Sequence, residues 1–480
     1  MSLPGLGPGT SPLAVVPAPS VPAAGGAVGT LEAPDVVLTR CRWARLAHPE
    51  RRTSRAIPVA PEAPGTVEDA VLFPQAPGGM DWLLGGGAAA LAQDDDAFQV
   101  TVAAPAGAAG AGLLIFLPGG GFVSGGASLP VYDAAALARA TGRVVMVPGY
   151  RLGAHGALGR AKDGTPLLVD DVLRSVAWCL ENAAHFGAST EDVTLVGQSA
   201  GAWCALVAAQ DPALAPSFTR LALYSLPFQP PPGPEGRAER QAVVDGALAG
   251  RSFDELSPSE AVDVSAALNR AWAGRGLGVQ PPSGGRLPVS LLEFEELLPR
   301  LRVSEVLLAH TRDEARAMIP PMAAASFPGP AAEGYERSHF GTVPAAGDRS
   351  PWERMTEAMT EHEFAGFSRE LGAALAAAGV RVHRSRWDVE CGVPGAGAAH
   401  CTDLPGLFGA AGSAGAPLRA GVDPEALAAA GEAWRAPLIA ALAGELEPTA
   451  PGTLVAVGLR GGELVADASA FGDPVRGVQA

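Results

Sequence analysis

Short apolar runs recur along the chain, at residues 113–117, 144–147, 193–196, 221–224, 306–309 and 453–457, each closed by Gly, Pro or a polar turn. Continuous rather than alternating apolarity predicts strands covered on both faces, as in a mostly parallel sheet. Between them, residues 132–140 and 168–184 carry helical spacing, with Val172, Val176 and Leu180 on one stripe of the second. Strand and helix therefore alternate, which predicts an α/β architecture with a mostly parallel central sheet flanked by helices. Over residues 230–300 and 320–378 the strand signal fades into helical, acidic or Pro-interrupted sequence, expected to form helical cap insertions over one edge of the sheet.

Composition narrows this picture only at its margins. With 48% hydrophobic and 18% charged residues over 480 positions, the chain has ample material for a core. Residues 1–30 are rich in Pro, Ala and Gly without the basic start and apolar stretch of a secretory leader, so they are expected to be a disordered tail. Residues 31–480 are then expected to be a single domain. A net charge of −16 argues against a phosphate-binding face, and no nucleic-acid partner is expected. The uncharged stretch 102–132 is too weakly apolar, through its Ala, Gly and Pro, to predict a membrane span. Five cysteines without C-x-x-C pairing form no disulfide or metal framework.

Candidate chemistry starts at Gly197-Gln198-Ser199-Ala200-Gly201, a G-x-S-x-G string in which small flanking residues permit a sharp strand-to-helix turn that exposes the serine hydroxyl. In so glycine-rich a chain the string alone is weak. Its context is stronger: Val193-Thr194-Leu195-Val196 reads as a β-branched strand before it, and Ala202 to Val207 as a buried helix after it. A serine nucleophile also needs a base and donors for an oxyanion. Upstream, Pro118-Gly119-Gly120-Gly121-Phe122 follows the strand at 113–117 and resembles an HGGGF loop, whose bare backbone lets N–H groups approach a substrate oxygen. Neither G-x-G-x-x-G nor G-K-[ST] is present there, so a phosphate loop fits worse.

From these landmarks the resemblance widens. Gly149-Tyr150-Arg151, Leu167-Leu168-Val169-Asp170, the set Trp178, Asn182, Phe186 and Gly187, then Asp192-Val193-Thr194-Leu195 are similar, in order, to the type B carboxylesterase and cholinesterase family of the α/β-hydrolase fold. Further along, the strand at 306–309 and the loop carrying Asp313 and Glu314 resemble the segment bearing the family's acid, and Gly397-Ala398-Ala399-His400-Cys401-Thr402-Asp403-Leu404-Pro405 resembles that around its histidine. The resemblance implies a triad of Ser199, Glu314 and His400 in the chain order of such hydrolases. It also implies oxyanion donors from Gly120, Gly121 and Ala200, and a buried Arg151–Asp170 ion pair. Asp313 is the second choice for the acid and His310 for the base.

The implied activity is hydrolysis of a small-molecule carboxylic ester through an acyl-serine, without cofactor or metal. A non-catalytic interaction protein on the same fold, or an acyltransferase or lactonase using the same acyl-serine, are the alternatives. Departures from the family pattern are Pro118 for a histidine, Gln198 for an acidic residue, Ala315 for a glycine and Ala97 for a disulfide cysteine. The last agrees with a reducing, cytoplasmic location. The sequence does not determine the oligomeric state.

Overall fold

The computed structural model describes residues 35–467 except 345–346, 410, 451–452 and 461. The segment read as a tail, residues 1–30, lies outside the described residues. Ten strands form one sheet: β1 (Val36–Arg42), β2 (Gln99–Pro105), β3 (Ala111–Leu117), β4 (Val144–Pro148), β5 (Ala188–Gln198), β6 (Arg220–Tyr224), β7 (Glu305–Thr311), β8 (Arg381–Trp387), β9 (Val455–Arg460) and β10 (Glu463–Asp467). Their order is β1-β2-β4-β3-β5-β6-β7-β8-β9-β10. From β4 to β9 every pairing is parallel, while β1, β2 and β10 join antiparallel at the margins.

The apolar runs explain the middle of this sheet. All five residues of β4 and of β6, and all seven of β7, are buried, because helices cover both faces. The predicted helical segments become α1 (Ala134–Thr141) and α2 (Leu167–Glu181), and α3 (Ala200–Gln210) follows the G-x-S-x-G string. α3 is buried at every position, so its sequence has no polar face to lose. Two further helices, α4 (Pro234–Leu248) and α5 (Pro258–Ala271), fall within 230–300. Within 320–378 lie α6 (Gly329–Phe340), α7 (Pro351–Thr360) and α8 (Gly366–Ala377), the last two joined by a π-helical turn over Glu361–Ala365. α9 (Pro424–Ala443) packs beside the C-terminal strands.

Two readings are corrected. The last apolar run begins its strand at Val455 rather than at Thr453, whose hydroxyl instead donates to the Ala450 carbonyl. The expected Arg151–Asp170 pair is not made. Arg151 grips Asp171, with an Nη2–Oδ1 distance of 2.9 Å, and both side chains are buried. Asp170 instead accepts from Arg55 at 3.0 Å and from Arg174 at 2.8 Å. Neighbours on a helix diverge by about 100°, so Asp170 lies one turn from Arg174 while Asp171 turns toward Arg151. Burial lifts the Asp171 pKa to about 6 against the pull of Arg151.

Candidate functional site

Parallel α/β sheets place ligand sites beyond the carboxyl ends of their strands, and here β3, β5 and β7 each deliver a candidate side chain or loop to that edge. Ser199 sits between β5 and α3 with φ 58° and ψ −128°, a conformation unfavourable for a residue with a Cβ. Its N–H donates to the Tyr224 carbonyl at 2.8 Å, which ties the bend to β6. The flanking glycines are required by space. A Cβ on Gly201 would stand 2.0 Å from the Leu117 carbonyl oxygen, and one on Gly197 2.3 Å from that of Gly201.

The loop after β3 carries Gly120 at φ 127° and Gly121 at φ 58°. A Cβ on Gly120 would meet the Ser124 carbonyl oxygen at 1.9 Å, so the turn excludes any side chain there. The Gly120 carbonyl is occupied by the N–H groups of Val123 and Ser124 at 3.1 and 3.0 Å. The N–H groups of Gly120, Gly121 and Ala200 have no hydrogen-bond partner among the described residues, and all three residues line one cavity of about 950 Å³ together with Ser199 and His400. Pro118, where a histidine was expected, is tied into the core on its carbonyl side. Its carbonyl accepts the Tyr150 hydroxyl, and the Tyr132 hydroxyl takes the Gly119 N–H at 3.2 Å.

Glu314 follows β7 and is fully buried. Its Oε1 accepts the Thr311 N–H at 2.7 Å and its Oε2 accepts from His400 Nδ1 in a short hydrogen bond. With the proton on Nδ1, the other ring nitrogen is the acceptor. That Nε2 lies 3.4 Å from the Gln198 amide nitrogen, which also donates to Cys401 Sγ at 3.2 Å. Among the described residues no hydrogen bond joins Ser199 to His400; the two face the same cavity with Gln198 over the imidazole. Burial opposes the charged imidazolium, yet Cys401 and Glu314 outweigh it and hold the His400 pKa well above the usual imidazole range.

The second choices fall elsewhere. Asp313 accepts the Ala398 N–H at 2.9 Å and pairs with Arg312 and Arg316, fastening the histidine loop rather than meeting the imidazole. His310 is buried inside β7, its pKa pushed well below the usual value by burial and by nearby arginines, and it does not line the cavity. Tyr132, Cys401 and Glu363 also line the cavity and were not named as functional from the sequence. Only the position of Cys401 beside His400 could have drawn attention to it. No cluster of three metal-ligating side chains is found, and no helix is long and apolar enough to cross a membrane, among the described residues.

The profile described as "Carboxylesterase family" matches residues 59–232, a span holding the glycine loop and the Ser199 bend. The phenmedipham hydrolase of Pseudarthrobacter oxydans is 36% identical over 133 residues, 27% of each chain. A probable N-octanoylanthranilate hydrolase of Rhodococcus erythropolis is 28% identical over 353 residues, 71% of this chain and 74% of that one. Cholinesterase 1 of Branchiostoma lanceolatum is 44% identical over 96 residues, 19% of this chain and 27% of that one. The chain thus spans about a quarter of the length of the first and last of these. Among solved structures, a thermophilic pNB esterase superposes with TM-score 0.74 at 19% identity, covering 90% of this chain and 94% of that one. A carboxylesterase of Geobacillus stearothermophilus gives 0.71 at 20%, covering 93% and 96%.

Proposed function

We propose that this chain, of the α/β-hydrolase fold and similar to the type B carboxylesterases, is a carboxylic ester hydrolase working through an acyl-serine with Ser199, His400 and Glu314. The observation that carries the reading is convergence. One cavity holds a serine on a strained bend, an imidazole whose far nitrogen is fixed by a buried carboxylate, and three backbone N–H groups without partners among the described residues.

Each part has a chemical task. Glu314 fixes the His400 tautomer and favours the imidazolium that forms when Ser199 loses its proton. As substrate arrives, the Gln198 amide leaves Nε2 and the Ser199 hydroxyl takes its place, a side-chain rotation between staggered wells. Attack of Oγ on the ester carbonyl moves the bond pair onto oxygen, where the N–H groups of Gly120, Gly121 and Ala200 stabilise the charge. His400 then returns the proton to the departing alkoxide, leaving an acyl-serine. Water, deprotonated by the same imidazole, releases the carboxylic acid and regenerates Ser199.

The purified chain should hydrolyse short-chain aryl esters, and Ser199→Ala should reduce kcat by at least about 10³ without unfolding it. Undiminished turnover by a folded Ser199→Ala variant would remove the assignment. The relatives' names add N-octanoylanthranilate and phenmedipham to the substrate panel; added alcohols or amines separate hydrolysis from acyl transfer by their products.

A further inference from the structure

The cavity's charge is one-sided. Among its lining residues stand two carboxylic acids, Asp81 and Glu363, and neither lysine nor arginine. Asp81 is committed to its own loop, where its carboxylate accepts the Gly78 N–H at 3.1 Å. Glu363 is different. It belongs to the π-helical turn between α7 and α8, and such a turn inserts one residue into a helix and rotates the residues after it about the axis. The same turn supplies Phe364, whose ring lies 5.3 Å from that of His400, so Glu363 is displayed next to the reacting centre. Glu361 in this turn pairs with Arg369, whereas Glu363 makes no ion pair among the described residues. Its Oε1 accepts the Tyr335 hydroxyl from α6 at 3.2 Å, and its other oxygen has no hydrogen-bond partner among the described residues.

A half-buried carboxylate with no lysine or arginine beside it is costly to fold, and structural acids normally acquire an ion-pair partner. Beside it the cavity wall is apolar, with Met318, Ile319, Met355 and Met359. We infer that Glu363 is a substrate-recognition residue that selects esters bearing a protonated amine and rejects those bearing a second carboxylate. The inference rests on the esterase reading and deepens it by assigning a substrate charge. The titratable groups around Glu363 are Tyr335 from α6, His362 on its own turn and His400 opposite. Burial lifts its pKa to about 7, with Tyr335 and then His400 pulling the other way, so it is ionised at pH 8. An ammonium bound there replaces lost hydration with a charge-assisted hydrogen bond, in a pocket whose lining offers an anion no lysine or arginine.

The test measures kcat/KM at pH 8 in a pH-stat. On the alcohol side it uses the butyrates of 3-(dimethylamino)propanol, of its neutral isostere 4-methylpentanol and of 4-hydroxybutanoic acid. On the acyl side it uses the methyl esters of 4-(dimethylamino)butanoic acid and 5-methylhexanoic acid, and monomethyl glutarate. On at least one side the wild type should favour the amine over the isostere by about tenfold and disfavour the acid by a similar factor, the scale of one charge-assisted hydrogen bond. In Glu363→Gln the amine-to-isostere ratio should fall toward one. Hydrolysis of the neutral esters without charge preference on either side, or a preference that persists in Glu363→Gln, overturns this inference alone. Hydrolysis of none of the six overturns the esterase reading and this inference with it.

Discussion

Replacing Glu314 by glutamine changes one atom of a buried group and interrogates the whole constellation. The carboxylate uses both oxygens, one for the Thr311 N–H at 2.7 Å and one for His400 Nδ1. A glutamine offers a single oxygen, so whichever way its amide turns, one of these donors faces an NH₂ group. The orphaned buried donor costs about 1–3 kcal/mol, and the negative charge that steadies the imidazolium is lost as well. Loss of the orienting acid from a serine triad costs on the order of 10⁴ in kcat, which is about 5.4 kcal/mol at 1.36 kcal/mol per decade. A fall of about 10³ to 10⁴ in kcat/KM is therefore expected, with circular dichroism and thermal melting to establish that the variant is folded. The pH profile should move too. Catalysis needs neutral imidazole, and against burial Cys401 and Glu314 raise the His400 pKa, so the wild-type acid limb lies above about pH 6.5. Removing the charge of Glu314 lowers that pKa and shifts the limb to lower pH. A folded variant within tenfold of wild type, with an unmoved limb, would refute the reasoning.

Strain at the nucleophile predicts an ordering of two inactive variants: Ser199→Gly should be more stable than Ser199→Ala by about 1 kcal/mol in urea unfolding, because only glycine relaxes at φ 58°, ψ −128°; equal stabilities would remove the strain. For the buried ion pair, Arg151→Met should cost about 3–5 kcal/mol by stranding Asp171, and the double change Arg151→Met with Asp171→Leu should recover part of that loss. A double variant no more stable than the single one would show that Asp171 is not the partner that matters.

How much of the fold was legible in the sequence depends on how each signal arises. Buried parallel strands are continuous apolar runs, so β3 to β7 stood out. β8 did not, since Arg381-Val382-His383-Arg384-Ser385-Arg386-Trp387 reads as polar. It is nonetheless buried beyond its first residue, because Asp388 takes Arg386 and the Glu447 carbonyl takes His383. Such satisfaction comes from partners remote in sequence, which periodicity cannot reveal. β1 was missed for a different reason: its apolar run, Val36-Val37-Leu38, is only three residues long before Thr39, Arg40, Cys41 and Arg42. At the site, Ser199, Glu314 and His400 were named by motif and order, and the structure brings them to one edge of the sheet. That Asp171 rather than Asp170 meets Arg151 is a matter of helix phase, invisible in a motif that fixes only spacing. Glu363 lay beyond reach because a π-helical turn, not any residue pattern, carries it into the cavity. The same holds for the Gln198 amide over His400: the substitution was visible, its contact was not.

The claim on which the account turns is that Ser199 becomes acylated. Peptide mass spectrometry after treatment with a fluorophosphonate tests it directly, since the reagent traps an activated serine as a stable adduct. One adduct is expected, on Ser199, absent in Ser199→Ala, formed far more slowly in His400→Ala, and accompanied by complete loss of ester hydrolysis. Hydrolysis that survives full labelling of Ser199, or an adduct on another residue that tracks with inactivation, would contradict it.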